Sequence, residues 1–277
     1  MQPQQQRQQL QQQRQRRPLA TEPAAKDPLQ FAFESRDRDV LKIVRGALAA
    51  GSAKLAFQPI VSAKNTRKIA FYEGLIRVLD DAGRIIPAAH FMPEIEETSL
   101  GREIDCTTLR LGLEMLRVNP ALRLSINVSA RSIGDGVWRR TLEEGMHRSA
   151  QIGERLILEI SESSAMLLHE NVIRFMEEMQ PKGIAFAVDG FGGGLISFRH
   201  LKDFFFDIAK IDRCFVRDIA TSPDNQVLAQ ALITVCHQFD MFTVAEGVET
   251  PQEAAVLTQL NIGCLQGYLY GVPKFNL

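Results

Sequence analysis

Seven polar side chains in this sequence each end or follow a short apolar run, and all seven are of types that bind metal ions or phosphate groups. In chain order they are Glu73, Asn127, Glu159, Asp189, Lys210, Glu246 and Gln266. Carboxylate and amide oxygens are hard ligands that favour Mg²⁺ or Mn²⁺. Two such ions can together activate a water molecule and stabilise charge on a phosphate, and a lysine beside that water can orient it. The series therefore predicts a metal-dependent active site.

The alternative for any one of these residues is a structural role. A single acid at a strand end is more often solvated or ion-paired than a ligand. The repetition at successive runs favours an active site, because the carboxyl ends of parallel strands meet at one face of a barrel.

The elements that must position these residues follow from the hydrophobic pattern. Short β-branched and aromatic runs predict strands at residues 55–61, 69–77, 123–128, 155–160, 184–188, 205–210, 242–245 and 263–265. Helical periodicity and boundary residues predict helices at 40–48, 87–97, 102–117, 137–150, 171–180, 196–202, 224–239 and 251–260. This alternation indicates an α/β fold with parallel strands, and about eight strands over roughly 240 residues fit a (β/α)8 TIM-like barrel.

The start of the predicted barrel departs from this alternation. Only a short link, without room for a helix, joins the first two strands, so they are predicted to be antiparallel. Pro59 lies within the first strand and has no amide hydrogen to donate. We therefore expect that strand to be an edge strand or an irregular one.

Composition excludes several classes of function. The 277 residues are 45% hydrophobic and 23% charged, with a net charge of −1, so no basic excess predicts nucleic-acid binding. No apolar segment approaches the roughly 20 residues of a membrane helix, and we expect no membrane partner. The scattered histidines argue against a zinc site. Scattered cysteines without a C-x-x-C pair predict reduced thiols and a cytoplasmic location; they are Cys106, Cys214, Cys236 and Cys264.

The chain divides into two predicted regions. Residues 1–36 begin with a Gln- and Arg-rich segment that has no apolar period, and we expect them to be a disordered tail and linker. They lack the apolar core of a secretory signal. Residues 37–277 are predicted to form the barrel domain.

Eight short motifs, in order, resemble those of the EAL-domain family, whose members hydrolyse cyclic di-GMP. The matching segments are F-Q-P-I-V at 57–61, E-G-L-I-R at 73–77, N-V-S at 127–129, L-E-I-S-E at 158–162, D-G-F-G-G-G at 189–194, K-I-D-R at 210–213, E-G-V-E-T at 246–250 and Q-G-Y at 266–268. The resemblance covers roughly residues 38–275. It implies a modified (β/α)8 barrel with an antiparallel first strand, and cyclic di-GMP as the ligand.

The resemblance also implies a role for each matching position. It assigns the first metal ion to Glu73, Asn127, Glu159 and Asp189. It assigns catalytic roles to Lys210 and Glu246. In the family pattern the lysine contacts the attacking water, and the glutamate binds the second metal ion. It places Gln58, Arg77 and Gln266 around the nucleotide, and the guanidinium of Arg77 suits phosphate oxygens. It makes Glu162 the anchor of the loop after the Asp189 strand.

One position departs from the family pattern where chemistry is concerned. Active members have two consecutive aspartates, and here Gly190 replaces the second, which belongs to the second metal ion. Losing this carboxylate weakens the second metal site and lowers the expected rate of a two-metal hydrolase. Gly193 replaces a threonine, and residues 195–196 replace a tyrosine–serine pair. In the family this loop couples the metal site to dimerisation, so the expected homodimer is also weakened.

Three functions stay open at the level of sequence. The first is a cyclic di-GMP phosphodiesterase that produces linear pGpG with Mg²⁺ or Mn²⁺, weakened by Gly190. The second is a catalytically inactive cyclic di-GMP receptor. The third is a protein-interaction module that acts through the barrel surface and binds a regulatory protein.

Overall fold

A closed β-barrel surrounded by helices forms the compact unit Leu41–Leu277 in this computed structural model. The structure describes residues 40–80, 82–147, 150–194 and 198–277. The predicted tail at 1–36, its boundary at residue 37 and the substituted pair at 195–196 lie outside these ranges. Within them, no helix is long and apolar enough to cross a membrane.

Eight of the nine described strands match predicted ones, with shifts at their ends, and β3 was not predicted. They are β1 (Ala53–Ser62), β2 (Asn65–Leu79), β3 (Ile85–Pro87), β4 (Leu124–Asn127), β5 (Leu156–Ser161), β6 (Ala185–Phe191), β7 (Ile208–Ile211), β8 (Phe242–Ala245) and β9 (Cys264–Gln266). The sheet order is β1-β9-β8-β7-β6-β5-β4-β2-β3, and a further pairing of β1 with β2 closes eight strands into a barrel. Strand β3 lies outside the ring, against β2.

Helices cover the outside of the barrel between successive strands. They are α1 (40–49), α2 (Met92–Ile95), α3 (Ser99–Val118), α4 (Ala130–Ile133), α5 (Gly136–His147), α6 (Glu162–Leu167), α7 (His169–Met179), α8 (Phe198–Leu201), α9 (Arg213–Val216), α10 (Pro223–Gln238) and α11 (Pro251–Gln259). Strand β1 is antiparallel to both neighbours, whereas the strands from β2 through β9, apart from β3, pair in parallel. This confirms the predicted barrel with an antiparallel first strand.

Two local predictions need correction. Residues 87–97 do not form one helix, because Pro87 pairs with Arg77 in β3 and a 3₁₀ turn precedes α2. Strand β7 begins at Ile208, three residues later than predicted.

Strand β1 is irregular rather than an edge strand, which is the second of the two alternatives expected from Pro59. Its register with β2 shifts after Ile60. Pro59 lies where the partner of β1 changes, between the bridge of Phe57 to Lys274 and the pairing of Ile60 with β9.

An apolar layer fills the barrel interior. Its members come one from each of seven strands: Ile60, Phe71, Ile157, Ala187, Ile208, Val244 and Cys264. All are at most 8% exposed. This layer fills the cross-section of the barrel. It is called the apolar floor below, because the polar residues of the next layer lie directly above it.

Candidate active site

The candidate site is the layer directly above this apolar floor. Side chains two residues apart on a strand point to the same face. Six site residues therefore stand two positions after a floor residue of their own strand: Glu73, Glu159, Asp189, Lys210, Glu246 and Gln266. Gln58 stands two positions before Ile60, because β1 runs in the opposite direction. Strand alternation alone thus brings the predicted series together at the carboxyl end of the parallel strands.

Lys210 lies at the centre of four carboxylates. Its Nζ is 2.7 Å from Glu159 Oε2, 2.9 Å from Glu246 Oε1, 3.1 Å from Glu73 Oε2 and 3.4 Å from Asp189 Oδ1. The ammonium is 1% exposed and the Glu159 side chain is fully buried. One cation thus faces four acids in a place that water does not reach freely, and the surplus negative charge is the main electrostatic feature of the site.

Amide side chains fix the orientation of Glu73. Asn127 Nδ2 donates to Glu73 Oε1 at 2.9 Å, and Gln266 Nε2 donates to Glu73 Oε2 at 2.5 Å. Gln266 Nε2 also donates to Gln58 Oε1 at 3.1 Å, and Gln58 in turn donates to the carbonyl of Gly271. The predicted metal-binding and nucleotide-lining residues thus form one connected network.

The charge surplus is visible in the pKa values of two glutamates. Burial, followed by the charge of Glu73, raises the pKa of Glu159 to about 8. Burial also raises the pKa of Glu246 to about 8, with a further contribution from Asp189. These two carboxyls therefore hold protons near neutral pH unless a further cation is present.

Glu73 and Lys210 are shifted in favour of their charged forms. Burial alone would raise the pKa of Glu73, but the Lys210 charge and the hydrogen bonds from Gln266 and Asn127 hold it below its usual value. Burial alone would lower the pKa of Lys210, but the surrounding carboxylates, Asp189 first, raise it well above its usual value. The lysine therefore stays an ammonium ion at neutral pH.

The donor set fits a hard divalent cation. Its members are carboxylate and amide oxygens, and the buried Oε1 atoms of Glu159 and Gln266 receive no hydrogen bond within the described part of the chain. In this structure the carboxylates are spaced around the ammonium of Lys210. The described residues accordingly include no group of three or more acidic, His or Cys side chains that could hold a metal ion. Binding an ion here would therefore require the carboxylates to exchange contacts with the ammonium.

A cavity of about 410 Å³ opens beside this centre. Its lining includes Glu73, Asn127, Glu159 and Asp189, together with apolar side chains such as Leu75 and Met92. Arg77 stands on the same face of β2 as Glu73, four residues further along, and is half-buried. A polar centre thus adjoins a partly apolar space of the kind that small ligands occupy.

The loop after β6 carries the departure at Gly190. The backbone of Gly190 is left-handed, with φ of 69°. Among the described residues, a β-carbon there would lie within 4 Å of Asp212 alone, whose Oδ2 would be 3.5 Å away. Glu162 Oε1 accepts a hydrogen bond from the Gly192 amide at 2.8 Å, which places the predicted loop anchor against this loop.

Asp212 is the acid near this site that the sequence prediction did not select. Its backbone amide bonds to the carbonyl of Phe191, and its Oδ1 caps α9 by accepting from the Cys214 amide at 2.7 Å. It belongs to the same K-I-D-R motif as Lys210. That motif was the available signal, but Asp212 follows its strand and so fell outside the series of strand-end residues.

The fold and this polar centre define the chain as a member of the EAL domain family, whose family model matches residues 41–273. It is 32% identical over 244 residues to the probable cyclic di-GMP phosphodiesterase PdeA of Escherichia coli, which covers 85% of this chain and 32% of that protein. It is 29% identical over 228 residues to the cyclic di-GMP phosphodiesterase PdeB of Shewanella oneidensis, covering 79% of this chain and 26% of the relative.

A solved structure gives the same picture of the fold. The EAL domain of FimX from Pseudomonas aeruginosa, bound to c-di-GMP, superposes with a TM-score of 0.79 at 26% identity, covering 86% of this chain and 97% of that domain. The chain spans about a third or less of the length of the curated relatives it matches, so those relatives hold further regions that have no counterpart in the match.

Proposed function

We propose that this chain hydrolyses cyclic di-GMP to linear pGpG, at a rate lowered by Gly190. The observation that carries the proposal is the convergence of four carboxylates and an asparagine around one buried lysine, above the barrel floor. The named activities of relatives and the ligand bound by FimX support the choice of substrate.

The chain's own residues have distinct tasks in this proposal. Glu73, Asn127, Glu159 and Asp189 would hold the first Mg²⁺ or Mn²⁺, and Asp189 and Glu246 would hold the second. When bound, these ions supply positive charge that activates water and stabilises charge on the phosphate. Lys210 orients the attacking water, and its charge offsets the negative charge that develops on the phosphate. Arg77 holds phosphate oxygens, while Gln58 and Gln266 line the nucleotide.

Asp212 partly compensates for Gly190 in this proposal. Its carboxylate lies beside the space that an aspartate side chain at position 190 would enter. One oxygen of Asp212 also caps α9, so Asp212 only partly replaces the carboxylate that is missing at position 190. We therefore expect slow hydrolysis, with the second metal site weaker than the first.

A hydrolysis assay with cyclic di-GMP and Mn²⁺ tests the proposal. We expect pGpG formation above that of Glu73→Ala, which removes a carboxylate from the centre. No turnover above this control would refute hydrolysis.

Substitutions at Gly190 test the stated cause of the slow rate. Gly190→Asp should raise kcat by at least about tenfold, a gain that corresponds to about 1.4 kcal/mol of transition-state stabilisation. The left-handed backbone tolerates Asp and Asn better than most residues. Gly190→Asn is therefore the matched control, with the same size and no charge. Equal rates for the two variants would show that the missing charge is not the cause.

Gly190 also supports a second candidate, a cyclic di-GMP receptor without catalysis. Gln58, Arg77 and Gln266 are present in this chain, and ligand binding does not require the second metal ion. Calorimetry that detects binding, together with an assay that detects no turnover, would favour the receptor. Most specific sites bind their ligand more tightly than about 100 μM. No binding at about 100 μM cyclic di-GMP would therefore exclude both the phosphodiesterase and the receptor, and would leave the protein-interaction module.

A further inference from the structure

A basic, exposed hairpin end lies at the end of the barrel opposite the candidate site. The turn at residues 63–64 joins β1 to β2, and residues 64–69 are all exposed. Lys64 lies in this turn, whereas Arg67, Lys68 and Ile69 belong to the first residues of β2, and Ile69 is 42% exposed. Three cations and an apolar side chain therefore share this hairpin end.

The two segments next to this hairpin end add one further cation and no acid. The Ala63 amide bonds to the Gly263 carbonyl, and the Tyr72 amide bonds to the carbonyl of Arg123, an exposed cation that precedes β4. The three adjoining segments at 62–70, 119–123 and 260–263 include four cations and no Asp or Glu. This surface is called the basic hairpin face below.

Exposed aromatic rings adjoin the basic hairpin face. The ring of Phe242 lies against Gly263, where a β-carbon would be 3.1 Å from ring carbons, yet Phe242 is 62% exposed. Phe239 and Phe205 precede strands β8 and β7 at the same end and are 42% and 43% exposed. The segments that carry these rings also contain the acids Asp203, Asp207 and Asp240. Asp207 accepts a hydrogen bond from the Phe186 amide, and Asp203 Oδ2 lies 4.0 Å from His169 Nε2.

We propose that the basic hairpin face docks on an anionic phospholipid surface. Lysine and arginine near such a surface are attracted to its headgroups, and exposed aromatic rings insert at the boundary of the acyl chains. Exposed cations beside exposed aromatic rings suit a phospholipid surface, which offers anionic headgroups above an apolar interior. Docking needs no spanning helix, so it is compatible with the apolar pattern from which we expected no membrane partner. It would leave the candidate site facing away from the lipid.

Vesicle flotation with the full chain tests this proposal. We expect binding to vesicles of phosphatidylglycerol and phosphatidylcholine in equal parts, and not to phosphatidylcholine alone. The triple variant Lys64→Ala, Arg67→Ala, Lys68→Ala should bind about fivefold more weakly per cation, or on the order of 10²-fold in all. High salt should also release the wild-type chain.

A matched triple variant controls for net charge. Lys42→Ala, Arg110→Ala and Arg140→Ala remove three exposed cations from α1, α3 and α5, on the side of the barrel. This control should bind within about threefold of the wild type, since charges more than a Debye length from the lipid contribute little. Equal loss in the two triple variants would overturn the proposal.

A fluorescent variant tests insertion and the choice of partner. Trp138 is 1% exposed, so Phe242→Trp adds the only exposed indole among the described residues. Its emission should shift to the blue with phosphatidylglycerol vesicles. Absence of binding to these vesicles, or capture by polyglutamate with no binding to vesicles, would overturn the lipid proposal.

Discussion

At the scale of single residues, Lys210 determines what the candidate site is without a bound ion. Among the described residues it is the only cation in contact with these four carboxylates. It helps to keep Glu73 ionised, while Glu159 and Glu246 have a pKa of about 8. The lysine is therefore both a proposed participant in catalysis and the counter-ion that makes this acidic centre compatible with folding. Removing one partner from a buried ion network leaves a charge uncompensated. The resulting loss of unfolding free energy is larger than the net stabilisation that the intact network provides.

Lys210→Met tests this structural role. In EDTA the variant should lose about 3 kcal/mol of unfolding free energy, because the carboxylates lose their cation. Mn²⁺ should then stabilise the variant more than the wild type, since the ion supplies the missing positive charge. Urea unfolding with EDTA and with Mn²⁺ measures both effects. Lys182→Met, which breaks an exposed pair with Glu178, should cost less than about 1 kcal/mol.

The site residues could be predicted from sequence to the extent that strand alternation fixes them. Residues two positions beyond a buried floor residue face the same interior of the barrel, so the polar site residues could be predicted from the strand pattern. The contacts of Lys210 with all four acids were not, because they depend on distances across the barrel. Asp212 was missed for a related reason: it reaches the loop after β6 from beyond the end of its own strand.

At the scale of elements, Arg155 holds the end of α3. Its Nη1 lies 2.9 to 3.2 Å from the carbonyl oxygens of Leu116, Asn119 and Leu122, at the helix end where carbonyls lack partners within the helix. The Asn119 carbonyl also accepts from the Leu122 amide. A guanidinium at a helix C-terminus also interacts favourably with the helix dipole. This side chain therefore fixes where α3 turns into β4.

Arg155→Met should cost about 2 to 3 kcal/mol, the range for hydrogen bonds that involve a charged group. Arg155→Lys should recover part of this loss, because it keeps the charge but not the planar fork. Urea unfolding measures both variants. Arg110→Met removes an exposed arginine from the same helix, and a loss as large as that of Arg155→Met would contradict the explanation.

A second device on α3 is the buried carboxyl of Asp105. Its Oδ2 accepts hydrogen bonds from the Ser129 amide at 3.0 Å and the Ser132 hydroxyl at 2.7 Å, and so holds the loop after β4. Burial raises the pKa of Asp105 from 3.8 to about 6, against the effect of these two hydrogen bonds. The folded state therefore binds more protons than the unfolded state between about pH 4 and 6.

Asp105 should consequently lower stability as the pH rises through this window. The loss is up to about 3 kcal/mol at 1.36 kcal/mol per pKa unit, absent below about pH 4 and complete above about pH 6. Asp105→Asn should remove it, so the variant gains stability relative to the wild type between pH 4 and 7. Urea unfolding in EDTA across this range provides the comparison. Parallel pH profiles would contradict the assignment.

The elements that sequence missed share a physical property. Helices α4 and α9 have four residues each and α6 has six, so none is long enough to show a helical period. Strand β3 has three residues and depends on pairing with β2, which no local pattern reveals. Long amphipathic helices such as α3 and α10, and the short apolar strands, carry their signal within their own residues and were predicted closely.

At the scale of the whole molecule, the nine described strands belong to one sheet within Leu41–Leu277, and eight of them close into a ring. The apolar floor of the barrel is also built entirely from residues of this unit. We propose that the barrel region is an independent folding unit and that the Gln- and Arg-rich segment is not needed for its stability.

A chain that begins at Asp37 tests this division. Its thermal midpoint should differ from that of the full chain by less than about 2 °C, which corresponds to well under 1 kcal/mol for a domain of this size. A drop of many degrees would show that the first 36 residues stabilise the barrel. Calorimetry of the two chains, with a single transition expected for each, is the measurement.

The seam between β1 and β9 has a consequence for how this protein is made. Gln58 and Gln266 bond directly although 208 residues separate them, and both belong to the network around Glu73. During synthesis, the site therefore stays incomplete until Gln266 has left the ribosome. Contacts of such long range form late and slowly, and they leave unpaired strand edges exposed in the meantime. During that interval the barrel is an open sheet whose unpaired edges need protection from other chains, and the candidate site has not yet formed.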